Sequence, residues 1–532
     1  MTDDFDDAVA AVTHDPDDDS VVVVIGSGAG GGTLANELCQ KGIDVVLIEA
    51  GPRIDQADLE NDPHAMADLL SWRDKRTCTG TSPIAVNYPE APTWVCKAVG
   101  GSTLHWTALC IRLQEFEFKT RTVYGEVAGA NVADWPIELN DLAPYYDRAE
   151  SKMGVSGTNG TPVHPPSNNY RVLAAGAKRL GYTAVDTGNH AINSVPRDGR
   201  NACDQIGFCL QGCKSGAKWS TAFTEVPRAE ATGRCEVRPE CMALQILTDD
   251  GGRASGVVYA DRDGAHHRQK ARVVCVAANG IETPRLLLNS ASSAFPDGLA
   301  NASGMVGKNF MRHMFGFVYA EFERPVNMHR GNPTAGLIRD EARHDPSRGF
   351  GGGLYIGLVA LGLPLFPGAL SPIGWGAELA GWVEAYDRIA GLLVQGEDMA
   401  IEGNRVTLHA GEKDRFGLPI PCLHLDDHAN EMAMRNYAYR KTGELYAAIG
   451  ARRAFEAPTM PVTHNLGTCR MSAAAKDGVV NGWGQSHDIA NLFISDGSQF
   501  ASAASAGPTL TIVTLAIRQA DRIAEQMGTG EL

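Results

Sequence analysis

The sequence predicts an α/β fold, and three consecutive features near its N-terminal end carry that prediction. Residues 20–25 are a short run of mostly β-branched, apolar residues, which is typical of a strand buried on both faces. A turn containing Gly26, Gly28 and Gly31 follows, and residues 33–39 then show helical spacing of their apolar side chains. By domain size, the 532 residues fit about three folding units, and two large units fit equally well.

The glycine turn predicts a Rossmann-like dinucleotide site. Gly26 allows the tight turn, Gly28 lets the backbone approach a pyrophosphate, and Gly31 lets the helix pack on the strand. The N-terminus of the helix presents unpaired N–H groups and the positive end of its dipole to the phosphates. Because strand, turn and helix occur in the required order, the motif is far more specific than a glycine pattern alone.

A second apolar strand, over residues 44–48, ends at Glu49. A carboxylate at this position accepts hydrogen bonds from a ribose diol and repels a 2′-phosphate. The glycine motif alone does not separate NAD from FAD. The continuation over residues 49–53 resembles the flavoprotein version, so we expect FAD.

The charge balance excludes one class of function. The chain has 47 Lys and Arg against 63 Asp and Glu, a formal net charge of −16, whereas nucleic-acid binding requires clustered basic residues. Residues 1–20 contain acidic residues and no basic one, so they lack the basic and apolar regions of a secretory signal. We expect a disordered acidic leader over residues 1–19 and a cytoplasmic protein, unless a signal-bearing partner exports it.

One long segment, residues 349–377, has no charged residue and is long enough to cross a bilayer. Prolines and many glycines interrupt it. We therefore expect no integral membrane span. Buried core or a lid over the active site is favoured over docking on a membrane surface.

Six motifs in a fixed order resemble those of the glucose–methanol–choline (GMC) oxidoreductases, a family of flavoprotein alcohol oxidases and dehydrogenases. The resemblance runs nearly end to end. The motifs are the N-terminal glycine turn and residues 100–106, 277–284, 306–313, 464–471 and 495–497 with 508–512.

The resemblance implies an α+β architecture of the p-hydroxybenzoate-hydroxylase type. A Rossmann-like FAD-binding domain is assembled from residues 20–150, 200–310 and 465–532. The substrate-binding domain is built on an antiparallel sheet and comprises residues 151–199 and 311–464.

The chemistry of the family requires a base beside the flavin, because hydride leaves an alcohol carbon readily only as the hydroxyl proton is removed. An imidazole, with an ordinary pKa of about 6.5, suits this task. His464 matches the family's catalytic histidine. The resemblance implies an FAD-dependent alcohol or sugar dehydrogenase acting on the CH–OH group of a sugar, polyol or other alcohol. An oxidase of a more hydrophobic alcohol, with O2 as acceptor, and a flavin-dependent lyase stay open as alternatives.

The second catalytic position departs from the family pattern. The family places Asn or His immediately before the Pro-Thr-Leu-Thr motif, and here that residue is Gly507. Glycine has no side chain with which to hold a substrate hydroxyl. Ser505 or Ser502, the nearest hydroxyls in the sequence, could take the role, or the chemistry differs.

Further residues are expected at the flavin because of the resemblance. His105 either attaches the flavin covalently or packs noncovalently near its dimethylbenzene edge. The other expected cofactor-binding residues are Gly100, Gly101, Ala243, Asp496 and Gly497.

Three cysteines, Cys203, Cys209 and Cys213, lie within eleven residues of a glycine-containing loop. Three thiolates suit a [3Fe-4S] cluster, whereas structural zinc requires four ligands. The spacing resembles that of the catalytic subunits of bacterial membrane-linked sugar dehydrogenases, which implies a cytochrome electron acceptor and a small chaperone subunit as partners. The alternative is a loop with inert thiols or a disulfide, in which case the enzyme reduces O2 directly.

Overall fold

The structure is a computed structural model that describes residues 12–370, 374–461 and 463–532. Its strands, in chain order, are β1 (Val22–Ile25), β2 (Val45–Ile48), β3 (Thr77–Thr79), β4 (Val185–Asp186), β5 (Cys235–Arg238), β6 (Met242–Thr248), β7 (Ala254–Ala260), β8 (His266–Lys270), β9 (Val273–Val276), β10 (Met314–Glu321), β11 (Leu337–Ile338), β12 (Leu354–Leu358), β13 (Ile389–Gly396), β14 (Arg405–Lys413), β15 (Pro419–His424), β16 (Arg453–Glu456) and β17 (Leu492–Ile494).

The helices complete the architecture. They are α1 (Ala29–Gln40), α2 (Pro63–Leu69), α3 (Pro83–Asn87), α4 (Thr120–Tyr124), α5 (Leu139–Met153), α6 (Asn168–Arg179), α7 (Glu225–Glu230), α8 (Asn279–Asn289), α9 (Phe366–Ala369), α10 (Ala377–Glu384), α11 (Ala429–Ala447) and α12 (Thr509–Thr529). No helix of the described segments has both the length and the apolar composition needed to cross a membrane.

A five-stranded parallel sheet forms the centre of the dinucleotide-binding part, in the order β17-β9-β1-β2-β5. Both faces of this sheet are buried. Val22 and Val24 pack among side chains of α1 and α12, while Val23 and Ile25 belong to the core on the opposite side. This two-sided burial explains why β1 is a continuous run of apolar residues.

A six-stranded antiparallel sheet forms the second part, in the order β16-β10-β13-β12-β11-β4. Helix α11 packs on one face, against β10 and β13. Because side chains alternate along a strand, Phe315 and Phe317 of β10 and Leu393 and Gln395 of β13 share the other face. That face closes one end of a large cavity.

Two stretches lie elsewhere than the sequence indicates. Strands β14 and β15 fall within the stretch assigned to the substrate domain. They pair with each other, β15 also pairs with β3, and both pack against α8 of the dinucleotide-binding part. Residues 12–19 of the expected leader are bonded to the fold, because the backbone N–H of His14 donates to Glu236 and that of Lys270 donates to the Pro16 carbonyl. Residues 1–11 lie outside the described residues.

The predicted fold class is confirmed: a parallel α/β sheet with a separate antiparallel sheet. The uncharged segment forms β12 in the middle of the antiparallel sheet and then continues into α9. Val359 and Leu361 from this segment line the cavity. Residues 371–373 lie outside the described residues.

Candidate active site

A cavity of about 410 Å³ lies between the two sheets. It is lined by most of the site residues that the sequence singles out, from segments far apart along the chain. These lining residues are Gly26, Gly28, Glu49, Gly101, His105, Ala243, His464, Asp496, Gly497 and Gly507.

The glycine turn shapes one end of this cavity. Gly26 has a φ of +94°, a conformation in which a side chain is strained. A Cβ atom on Gly28 would meet nothing within 4 Å, so the backbone here is open to a ligand. Gly31 does not line the cavity, and a Cβ on it would clash with the Gly26 carbonyl. The three glycines therefore serve turn, ligand approach and close packing, and the cradle fits a pyrophosphate.

Glu49 is buried at the end of β2, and its carboxylate organises the turn. It accepts hydrogen bonds from the backbone N–H and the hydroxyl of Ser27, and from the backbone N–H of Gly51. A carboxylate has about four lone-pair directions, so capacity remains for a ribose hydroxyl. The Ser27 hydroxyl also accepts the N–H of Gly100, which joins the turn to the Gly100–Gly101 loop although Gly100 itself does not line the cavity.

The C-terminal segment forms the opposite wall. Asp496 accepts hydrogen bonds from the backbone N–H of Asn279 and the hydroxyl of Thr283, and burial raises the pKa of its carboxyl. Pro508 and Thr509, at the start of α12, also line the cavity. The positive end of this 21-residue helix therefore lies at the cavity, where it stabilises negative charge.

His105 is a buried imidazole in the cavity wall with no hydrogen-bond partner for either ring nitrogen among the described residues. Its ring stacks on Trp94, with centroids 4.3 Å apart. Burial, and secondarily the Lys218 ammonium, lower the pKa of His105 to about 3. Lys218 donates hydrogen bonds to the carbonyls of Leu104 and Trp106, on either side of His105. A neutral imidazole with unmet hydrogen bonds at this wall fits a site completed by a ligand.

His464 meets a second histidine that the sequence leaves without a role. Met311 and Leu466 form an antiparallel bridge with two backbone hydrogen bonds, of 2.9 and 3.0 Å. In the same register, His313 lies two residues after Met311 and faces His464, two residues before Leu466. The Nδ1 atoms of the two histidines lie 3.0 Å apart. Both histidines stand in recognised motifs, but only the register of two distant segments shows that they touch.

The hydrogen bonds fix which nitrogen carries each proton. His313 Nε2 lies 3.0 Å from the Ala506 carbonyl, which can only accept, so Nε2 carries the proton. The Nδ1 atom of His313 is then an acceptor, and His464 Nδ1 donates to it. His464 Nε2 is left with a free lone pair, and no described residue occupies it. Burial lowers the pKa of His464 to about 4, so this ring is a neutral base.

Position 507 lies beside this base. A Cβ atom on Gly507 would be 4.0 Å from His464 Cε1. The hydroxyls suggested by the sequence are directed elsewhere: Ser505 donates to buried Glu117, and Ser502 donates to the Glu117 carbonyl. Neither serine lines the cavity. Neither of these two serines therefore stands in for the family's Asn or His.

The end of the cavity near His464 is mainly apolar. Its lining includes Phe315, with a ring centroid 5.4 Å from that of His464. The side chains that form this apolar wall are Leu109, Phe315, Phe317, Val359, Leu361 and Leu393. Such a wall excludes water from the base and packs against the carbon skeleton of a bound molecule.

The three cysteines of the glycine-containing loop lie outside the cavity lining. Cys209 is buried, Cys203 and Cys213 are partly exposed, and none is in a disulfide. Lys218 connects this loop to the His105 segment, because its ammonium donates to the Cys209 carbonyl and its backbone N–H donates to Cys213 Sγ. Within residues 12–370, 374–461 and 463–532, no group of three or more His, Cys, Asp or Glu side chains is placed to hold a metal ion.

Comparison with known proteins agrees with the fold and cavity. Two family models, both described as GMC oxidoreductase, match residues 77–315 and 401–516. The chain is 33% identical to a 2-methyl-1,2-propanediol dehydrogenase of Mycolicibacterium austroafricanum, over 94% of each chain. It is 28% identical to the fructose dehydrogenase large subunit of Gluconobacter japonicus, over 95% of this chain and 98% of the relative.

A solved structure gives the same fold. Pyridoxine 4-oxidase from Mesorbium loti superposes with a TM-score of 0.68 at 18% identity, over 95% of this chain and 99% of the other. Fold and cavity together define a flavin-dependent oxidoreductase. The chain belongs to the GMC oxidoreductase family, which implies FAD as its cofactor and confirms the resemblance noted in the sequence.

Buried neutral histidines near the cavity make stability depend on pH. His190, which pairs with Leu109, is fully buried, and burial lowers its pKa from 6.5 to about 3. Because the folded pKa is below the unfolded value, its stabilising effect is complete above pH 6.5 and is lost as the pH falls toward 3. Between pH 7 and pH 5 this amounts to about 2 kcal/mol.

We therefore expect His190→Gln to weaken the acid sensitivity of the thermal unfolding midpoint. The measurement compares the midpoint at pH 7 and pH 5, with His266→Gln, at an exposed position of β8, as the matched control. The control should show the wild-type decrease. An equal decrease in all three proteins would contradict the assignment.

Proposed function

We propose that the chain is an FAD-dependent alcohol oxidoreductase in which His464 Nε2 accepts the hydroxyl proton of the substrate. The observation that carries this proposal is the lone pair on Nε2 of a neutral His464, which no described residue occupies, in the wall of the cavity that also contains the glycine cradle. When bound, FAD would supply the acceptor for the hydride of the CH–OH carbon. The alcohol thus loses one proton to His464 and one hydride, and becomes a carbonyl compound.

The chain's own residues support this proton transfer. Ala506 fixes the tautomer of His313, and His313 orients His464 through the Nδ1–Nδ1 hydrogen bond. His313 is thus a positioning residue. With a pKa of about 4, His464 is unprotonated and available at neutral pH. The positive end of α12 favours negative charge at the cavity.

The electron acceptor distinguishes two forms of this enzyme. A dehydrogenase passes electrons to a redox partner, whereas an oxidase reduces O2 and releases peroxide during turnover. The apolar wall near His464 supports a substrate with a substantial carbon skeleton, as the oxidase alternative requires. The fructose dehydrogenase relative is named a large subunit, which supports a partner subunit for this chain.

His464→Ala should slow anaerobic bleaching of the flavin by alcohol by about 10²–10⁴-fold, because the proton acceptor is removed. Flavin content should stay at the wild-type level. His487→Ala is the matched control, since His487 contacts Ser472 and does not line the cavity.

A reduction rate for His464→Ala within a few-fold of the control would exclude His464 as the base. A wild-type flavin that no alcohol bleaches would instead favour the lyase alternative.

His105 is the proposed site of covalent flavin attachment. Its two ring nitrogens are buried at the cavity wall and no described residue hydrogen-bonds them, which supports this role. Acid precipitation should leave the flavin in the protein pellet of the wild type, and His105→Ala should release it to the supernatant. His190→Gln, which keeps His105, should behave as the wild type. Complete release of flavin from the wild-type protein would contradict covalent attachment and favour noncovalent packing of His105 near the flavin.

An iron–sulfur relay is a separate hypothesis, supported by the cysteine spacing and by the nearby Lys218 ammonium. The three thiols as placed do not fit a cluster, and burial raises the pKa of Cys203 to about 11 and of Cys209 to about 12. The proposed oxidation of the alcohol at His464 therefore does not involve iron.

The cluster hypothesis predicts iron and acid-labile sulfide in near-equal amounts, with a broad absorption shoulder at about 400 nm. Cys209→Ser should then lose iron and keep its flavin. Cys275→Ser, at a buried thiol in β9, is the control and should keep both. A yellow wild-type protein without iron would contradict the hypothesis and favour the oxidase.

A further inference from the structure

Leu109 has a backbone carbonyl that none of the described residues hydrogen-bonds. Leu109 faces His190 in an isolated antiparallel bridge, whose hydrogen bonds are made by the flanking residues. The N–H of Ala191 donates to Ala108, and the N–H of Cys110 donates to Asn189, each at 2.8 Å. In such a pair, the N–H and C=O of the central residue point away from the partner strand. The Leu109 carbonyl therefore faces the other side, toward Gly507.

The absence of a side chain at position 507 leaves this carbonyl accessible. A Cβ atom on Gly507 would lie 3.7 Å from the Leu109 oxygen and 4.0 Å from His464 Cε1. A carbon-sized group at that point therefore touches both the base and the carbonyl. Both Leu109 and Gly507 line the cavity, so a bound substrate can reach this point.

Two polar side chains near this point already make hydrogen bonds within the protein. Gln395 donates its amide N–H to the Ser505 carbonyl, and Thr334 contacts His190 and Asn332. The acidic residues of the lining, Glu49, Glu282 and Asp496, are bonded to other protein groups. An acceptor with no counter-charge beside it suits a neutral hydroxyl better than an ammonium.

We infer that the substrate carries a second hydroxyl on the carbon next to the oxidised one, and that this hydroxyl donates to the Leu109 carbonyl. The substrate class is a vicinal diol, with the reacting hydroxyl on His464 and its neighbour in the space left by Gly507. This inference rests on the proposed alcohol oxidation and adds the specificity. The carbonyl only accepts, so an alkyl group or an ether at that place leaves it without a partner.

The test compares substrates of similar size in the anaerobic reduction of the holoenzyme's flavin. Propane-1,2-diol carries the second hydroxyl. In 2-methylpropan-1-ol a methyl group replaces this hydroxyl, and in 2-methoxypropan-1-ol it is methylated and can no longer donate. In the wild type we expect the second-order rate constant of flavin reduction for the diol to exceed that for the other two by about tenfold or more. The fourth substrate, 2-aminopropan-1-ol, should be slower than the diol because its ammonium lacks a counter-charge.

Gly507→Ala tests the space itself. Gly507 does not have a positive φ, and both contacts of the added Cβ are ordinary van der Waals distances, so the variant should fold and bind flavin. We expect its preference for the diol over 2-methylpropan-1-ol to fall to within about twofold, because the methyl group fills the place of the second hydroxyl. Gly411→Ala, on exposed β14, is the matched control and should keep the wild-type preference.

The outcomes separate this inference from the proposed function. Equal rates for the diol and 2-methylpropan-1-ol in the wild type would overturn the inference while leaving alcohol oxidation intact. A diol preference that survives in Gly507→Ala would also overturn it, since another group would then recognise the hydroxyl. Faster reduction by the amino alcohol than by the diol would overturn the assignment to a hydroxyl. Failure of every alcohol to reduce the flavin would remove the proposed function itself.

Discussion

The two backbone hydrogen bonds between Met311 and Leu466 join the antiparallel sheet to the segment that leads into the dinucleotide-binding part. Their register puts His313 opposite His464, and so sets the pair of imidazoles at the cavity. A slip of one residue would turn the side chains to the other face. This short pairing therefore determines where His464 lies in the cavity. It also determines the hydrogen bonds, starting at the Ala506 carbonyl, that fix the tautomers of His313 and His464.

Charge around the cavity is distributed unevenly. At the cofactor end, the N-terminus of α1 offers its positive end, and the buried carboxyls of Glu49 and Asp496 are held by backbone and hydroxyl donors. At the substrate end, apolar side chains surround a histidine that burial keeps neutral. One end thus suits a polar nucleotide, and the other suits a molecule with a carbon skeleton and few hydroxyls.

Local patterns in the sequence predicted the parts of this design that depend on neighbouring residues. The glycine turn, the flanking strands and the acidic Glu49 follow one another within thirty residues, so their geometry could be inferred directly. His464 was found through its motif. The contact between His313 and His464 and the direction of the Leu109 carbonyl depend on pairings between distant segments, which no local pattern reveals. Ser505 was suggested by sequence proximity, but the buried carboxylate of Glu117 attracts its hydroxyl.

The parallel sheet takes its strands from residues 22 to 494, and the cavity is completed by residues up to Ile512. During synthesis, the chain emerges from its N-terminus, so β1 and α1 exist long before β9 and β17 can pair beside them. The apolar faces of the first strands of this sheet therefore stay uncovered during most of translation. The complete flavin-binding site can form only after nearly the whole chain has left the ribosome. Cofactor binding is therefore one of the last steps in the folding of this enzyme.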